Sequence, residues 1–79
     1  MRIDKFLKDS RIIKRRTVAK NICDAQRVKI NDSICKAGTE VKVGDVVQIE
    51  FSEKPFIFRV LDITENVSKK EASKMYELL

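Results

Sequence analysis

Ala25-Gln26-Arg27-Val28-Lys29-Ile30-Asn31-Asp32-Ser33-Ile34-Cys35 is the stretch in which the chain changes period. Before it, apolar residues recur at helical spacing. Within it, Val28 and Ile30 flank Lys29 in alternation, the repeat of a strand with one buried face. Asn31-Asp32-Ser33 supplies turn chemistry and Ile34-Cys35 returns as a short antiparallel partner, so the stretch predicts a small hairpin. A helix handing over to a hairpin here points to an α+β fold.

Upstream, Ile3, Phe6 and Leu7 share one face of a helix predicted over Arg2 to Lys8, with Lys5 and Lys8 on the other. Asp9 to Arg16 is a dense basic segment carrying Arg11, Lys14, Arg15 and Arg16, with Ile12 and Ile13 pinning it to the core. Thr17 is the expected N-cap of a second helix running to about Gln26. Val18, Ala19, Ile22, Cys23 and Ala25 cover its apolar side, and Thr17, Lys20, Asn21 and Asp24 cover the other.

Downstream, Val41-Lys42-Val43 leads into a Gly44-Asp45 turn, followed by a strand from Val46 to Phe51. Ser52 to Pro55 breaks it, and Phe56 to Ile63 resumes as a strand with apolar side chains on both faces, so alternation selects no inward face. Ser68-Lys69-Lys70-Glu71 has capping-box spacing, and Ala72, Met75, Tyr76 and Leu79 line one face of an expected closing helix. The order is two short helices with a basic loop between them, small antiparallel strands, and a C-terminal helix.

At 79 residues the chain is expected to be a single domain, with a core over residues 1–50 and a strand-and-helix extension over 51–79. With 43% hydrophobic and 37% charged residues, two glycines and one proline, it has the composition of a folded domain. Its charge is unevenly placed. Residues 1–36 hold eleven basic and four acidic side chains, net +7, and residues 37–79 hold six basic and eight acidic, net −2. A basic half joined to a mildly acidic one implies a directed anionic partner, nucleic acid first among them. No window approaches the roughly 18 apolar residues of a membrane span, and the start lacks the apolar stretch of a signal peptide, so no membrane partner and a cytoplasmic location are expected.

Cys23 and Cys35 are the only cysteines and histidine is absent, so neither a zinc-ligand set nor a Cys/His catalytic pair can be built. Both are expected as reduced thiols with packing roles. Nothing suggests a metal, a cofactor or an enzyme: there is no Gly-rich phosphate loop and no carboxylate pair placed for general acid and base work.

Four pieces in order carry a resemblance: Arg2-Ile3-Asp4-Lys5-Phe6-Leu7; Lys14-Arg15-Arg16-Thr17 with Ala19-Lys20; Ala25-Gln26-Arg27-Val28-Lys29-Ile30-Asn31; and Val41-Lys42-Val43-Gly44-Asp45. Together they resemble the RNA-binding domain family named after ribosomal protein S-four, over about residues 1–50. The short stand-alone bacterial members are the most similar, namely the heat-shock-protein-fifteen-like and RqcP-like groups. Lys69-Lys70-Glu71-Ala72 and Met75-Tyr76 extend the likeness toward the C-terminus. Two positions depart from the family pattern, Gln26 and Asp32, where glycine is usual. The resemblance implies an RNA-binding accessory factor in ribosome-associated quality control, a monomer on large-subunit ribosomal RNA. There it would steady peptidyl-tRNA while an RqcH-like tailing factor extends the stalled chain.

The candidate RNA contacts are Arg2, Lys5, Arg11, Lys14, Arg15, Arg16, Lys20, Arg27 and Lys29. Arg16 leads, because it adjoins a helix start, where free amides and the helix dipole favour phosphate, and because a guanidinium bridges two phosphate oxygens as lysine cannot. Most have a plainer alternative: solvated loop for Arg11 to Arg16, ion pairing to Asp4 or Asp9 for Arg2, pairing to Asp24 for Lys20, and edge solubility for Lys29. Asp4 is expected to be structural, orienting a neighbouring cation, since a carboxylate repels phosphate. Phe51, Phe56, Phe58 and Tyr76 are expected in the core and not as base-stacking platforms. The competing function is a general structured-RNA or DNA-binding regulator without a ribosomal role. A helix-turn-helix is disfavoured because about eight residues separate the helices, against a usual turn of roughly 3 to 4.

Overall fold

The computed structural model describes residues 1–51, 54–64 and 69–79. Helix α1 spans Ile3–Asp9 and α2 spans Arg16–Asp24; strands β1 (Val28–Ile30), β2 (Ser33–Ile34), β3 (Val46–Glu50) and β4 (Pro55–Val60) follow, then α3 (Lys69–Ala72), a 3-10 turn and β5 (Tyr76–Leu78). Among the described residues the strands form one antiparallel sheet in the order β2-β1-β3-β4-β5.

Alternation decides which face of the sheet is covered. Val28 pairs with Ile49, Ile30 with Val47, and Val47 with Phe58, so these side chains share one face, and all of them are buried. This resolves the face of β4 that the sequence left open: Phe58 and Val60 point inward and Arg59 outward. Helix α1 lays Ile3, Phe6 and Leu7 on that face, with the Phe6 ring stacked on Phe58 at 5.9 Å. Burial of side chains of this size is what secures the helices, since α1 and α2 are too short to persist alone.

Both helices end on a left-handed residue that is not glycine. At the end of α2, Gln26 has φ 62; its N–H donates to the Cys23 carbonyl and the Arg27 N–H donates to the Ile22 carbonyl, the paired bonds of a Schellman cap. At the end of α1, Arg11 has φ 65 and its N–H donates to the Lys8 carbonyl. In the hairpin, Asn31 and Asp32 are both left-handed, with φ 50 and 69, as a two-residue connection requires. The Asn31 side chain also joins the hairpin to the next strand: Oδ1 accepts the Val46 N–H at 3.0 Å and Nδ2 donates to Asp45 Oδ1 at 3.1 Å.

Several expectations are corrected. Helix α2 starts at Arg16, not after a Thr17 cap; Arg15 is the extended residue before it and no side chain caps the helix. Its buried stripe is narrower than its apolar one, with Ala19 and Cys23 buried and Val18 and Ala25 exposed. Among the described residues the closing helix covers Lys69–Ala72 and does not reach Leu79: Tyr76–Leu78 instead pairs with β4, because backbone pairing with an open strand edge outweighs a local helical period. The proposed Ser68 cap lies outside the described residues. Phe51 is 40% exposed, one residue past the last paired position of β3, and touches Phe56 only by an edge-on ring contact at 6.1 Å.

Candidate nucleic-acid interface

The first residues are fixed by the segment 37–41. The Ile3 N–H donates to the Thr39 carbonyl at 2.8 Å, the Val41 N–H to the Met1 carbonyl at 2.9 Å, and Arg2 bridges Glu40 in antiparallel fashion. Arg2 is thereby held, extended, as the residue before α1. Two positions on, in the first turn, Asp4 turns its carboxylate inward; its side chain is 3% exposed.

Asp4 is the point at which the two helices' cations meet. Its Oδ1 accepts the Lys5 backbone N–H at 2.8 Å, and Arg2 Nη2 donates to Oδ2 at 3.2 Å. From α2, Arg16 Nη2 donates to Oδ1 at 3.4 Å while its Nε lies 3.4 Å from Oδ2. A carboxylate withdrawn from water persists only with such partners. The arginines, by contrast, stay in reach of solvent, with side chains 49% exposed for Arg2 and 45% for Arg16. Two guanidiniums on one carboxylate leave the cluster cationic.

The remaining candidates divide by place. On α1, Lys5 Nζ donates to Asp9 Oδ2 at 2.7 Å, one helical turn along. Arg11, Lys14 and Arg15 are exposed in the connection to α2, which is anchored by buried Ile13 and by Ser10, whose hydroxyl donates to the Leu7 carbonyl. Lys20 is exposed on α2, and among the described residues it makes no ion pair with Asp24. Arg27 is exposed at the hairpin entry and Lys29 is half-buried on β1. The structure thus joins Arg2 and Arg16 at Asp4 and leaves Arg27 and Lys29 on the hairpin. Lys8 and Lys36, exposed cations of the same basic half, were not singled out by the motifs; the available signal for Lys8 was its place beside Lys5 on the polar side of the helix.

Elsewhere the aromatic rings pack mainly with one another. Phe58 meets Tyr76 at 5.5 Å and Phe56 at 5.8 Å. Cys23 and Cys35 are free and buried. The hydrogen bond to Cys35, with burial behind it, pushes the Cys23 thiol well above its ordinary range, so this buried thiol stays protonated near neutrality. Among the described residues no helix is long and apolar enough to cross a membrane.

The S4 domain family matches residues 1–47, the helices, the hairpin and the start of β3. The chain belongs to the S4 domain family. Similarity to whole-chain relatives extends past the matched segment. A protein of Streptococcus pneumoniae named RQC P-site tRNA stabilizing factor is 47% identical over 79 residues, covering 100% of this chain and 90% of the relative. A protein of Bacillus subtilis with the same name is 44% identical, covering 100% and 92%. The trimeric structure of Vibrio cholerae Heat Shock Protein 15 superposes with a TM-score of 0.89 at 22% identity, over 100% of this chain and 81% of that one, and so shares the fold. The solution structure of a hypothetical protein, HP1423, gives a TM-score of 0.85 at 33% identity, over 100% and 96%.

Proposed function

We propose that this S4-domain chain is a non-catalytic, cytoplasmic RNA-binding factor of ribosome-associated quality control. It binds ribosomal RNA of the large subunit and steadies peptidyl-tRNA in the P site while an RqcH-like factor extends the stalled chain. The single observation that carries this is the pair of half-exposed arginines, Arg2 and Arg16, gathered on one buried carboxylate inside the segment that matches the family. Relatives covering the whole chain bear the name RQC P-site tRNA stabilizing factor, which supplies the ribosomal context.

The chemistry is that of phosphate recognition. Arg16 is the first residue of α2, where the amides of the opening turn have no intrahelical acceptor and no side chain caps them. A phosphate there meets backbone donors, the positive end of the helix dipole and a guanidinium fork together. Lys5, Arg11, Lys14, Arg15, Lys20, Arg27 and Lys29 add to the field around it, positioning the protein on the backbone without reading bases. With Phe6 and Phe58 buried and Phe56 and Tyr76 packed against Phe58, recognition rests on RNA shape. Duplex DNA is the weaker target: Ser10 to Arg15, six residues, separate the helices, longer than the roughly 3 to 4 of a helix-turn-helix.

Sucrose-gradient sedimentation from cells with stalled ribosomes, with sequencing of the RNA and tRNA that co-purify, tests this. Co-migration with large subunits bearing peptidyl-tRNA is expected. Protein left at the top of the gradient at low salt would overturn it.

A further inference from the structure

A carboxylate beside a phosphate-binding surface is electrostatically unfavourable, because it repels the ligand and cancels one of the site's own charges. Stability is a poor reason for keeping it, since apolar residues of similar volume often serve as well as a buried ion pair. What remains is geometry. The Lys5 N–H, at 2.8 Å from Oδ1, sets the carboxylate of Asp4, and that carboxylate then sets two side chains. Arg16 approaches with one edge of its guanidinium, through Nε and Nη2 at 3.4 Å each. Its Nη1 hydrogens make no bond to Asp4, and Arg2 commits only Nη2, at 3.2 Å. Both side chains therefore keep donors in reserve while being about half exposed.

We propose that Asp4 is a positioning residue for RNA: it holds Arg2 and Arg16 as a preformed pair whose uncommitted donors engage neighbouring phosphates of one RNA backbone. The inference rests on the RNA-binding function proposed above. Arginine side chains are rich in rotamers, and ordering two of them at the moment of binding weakens affinity; a buried carboxylate that orders them beforehand removes that cost. The gain must exceed the repulsion between Asp4 and phosphate, and this gives the two effects opposite signs in one experiment.

Asp4→Asn keeps the volume and an oxygen to accept the Lys5 N–H, but removes the charge that holds both arginines. If charge alone mattered, the variant would bind large ribosomal subunits more tightly than the native protein. Positioning requires the reverse, a loss of about tenfold at fixed salt, with no further tenfold loss when Asp4→Asn is added to Arg16→Ala. Equal or tighter binding by Asp4→Asn overturns the proposal. A melting curve accompanies each variant, and the unaltered protein provides a readout that does not depend on their folding: 15N relaxation of the arginine Nε–H groups. Arg2 and Arg16 should be ordered, with order parameters approaching the roughly 0.85 of rigid backbone, while exposed Arg15 and Arg27 fall below about 0.6. An Arg16 as mobile as Arg15 overturns the proposal as well. A native protein that binds no ribosomal particle overturns the RNA function and the proposal together. Native binding undiminished in Asp4→Asn overturns the positioning role alone.

Discussion

Two arginine–carboxylate groupings, one at each end of the chain, use the same chemistry to different effect. Across β4 and β5, Arg59 Nη1 donates to Glu77 Oε1 at 2.9 Å; the partners are 45% and 47% exposed and their charges cancel. Between α1 and α2 the distances are longer, 3.2 to 3.4 Å, yet the carboxylate is buried and carries two cations. The shorter contact is an ordinary surface pair, contributing about 0 to 1 kcal/mol and weakening with salt. The longer ones matter more, because a buried carboxylate depends on its partners and because the surplus charge is available to an anion. Bond length alone does not rank ion pairs; burial and stoichiometry do.

Phe58 packs against both α1 and β5, elements that carry the two groupings, so the most severe test removes it. Phe58 stacks on Phe6 of α1 at 5.9 Å and meets Tyr76 of β5 edge-on at 5.5 Å. Phe58→Ala should cost about 3 to 5 kcal/mol, enough to abolish cooperative melting in a domain this small, as circular dichroism would record.

Next is Arg16→Ala, for which affinity for large ribosomal subunits should fall by more than about tenfold while staying measurable at low salt. Stability should drop by only about 1 kcal/mol, because Asp4 keeps Arg2 and the Lys5 N–H. A much larger drop in the melting temperature would make Arg16 chiefly structural. Gln26→Gly is smaller and of opposite sign: with φ 62 at the end of α2, glycine should relieve strain and raise stability by up to about 1 kcal/mol in urea melts. Least of all, Glu77→Ala should change stability by no more than about 0.5 kcal/mol and leave ribosome binding intact. If it matched Arg16→Ala in either respect, the contrast between the two groupings would disappear.

Much of this was legible in the sequence where local rules govern. The hairpin followed from Val28-Lys29-Ile30 and the Asn31-Asp32 turn, both of whose central residues adopt the left-handed backbone such turns need. The first helix followed from Ile3, Phe6 and Leu7. The tail departs from its helical period for a physical reason: Ala72 and Met75 are buried at helical spacing, but Tyr76–Leu78 is claimed by a strand edge distant in sequence. Helix α2 starts two residues earlier than a Thr17 cap would place it, because no side chain caps it and nothing local marks the turn. For the site, residue types indicated the cations, and Asp4 was expected to orient a neighbouring one. That it holds two, from different helices, depends on the docking of α1 against α2, which no local spacing encodes.

The most direct measurement is the salt dependence of binding to purified large ribosomal subunits, for the native protein and for Arg16→Ala. Phosphate recognition through the Arg2 and Arg16 pair predicts a steep fall of log affinity with log salt, by about 0.7 to 0.9 for each phosphate neutralised, and a slope shallower by about one such step in the variant. A flat dependence, or a slope unchanged by the loss of Arg16, would contradict it.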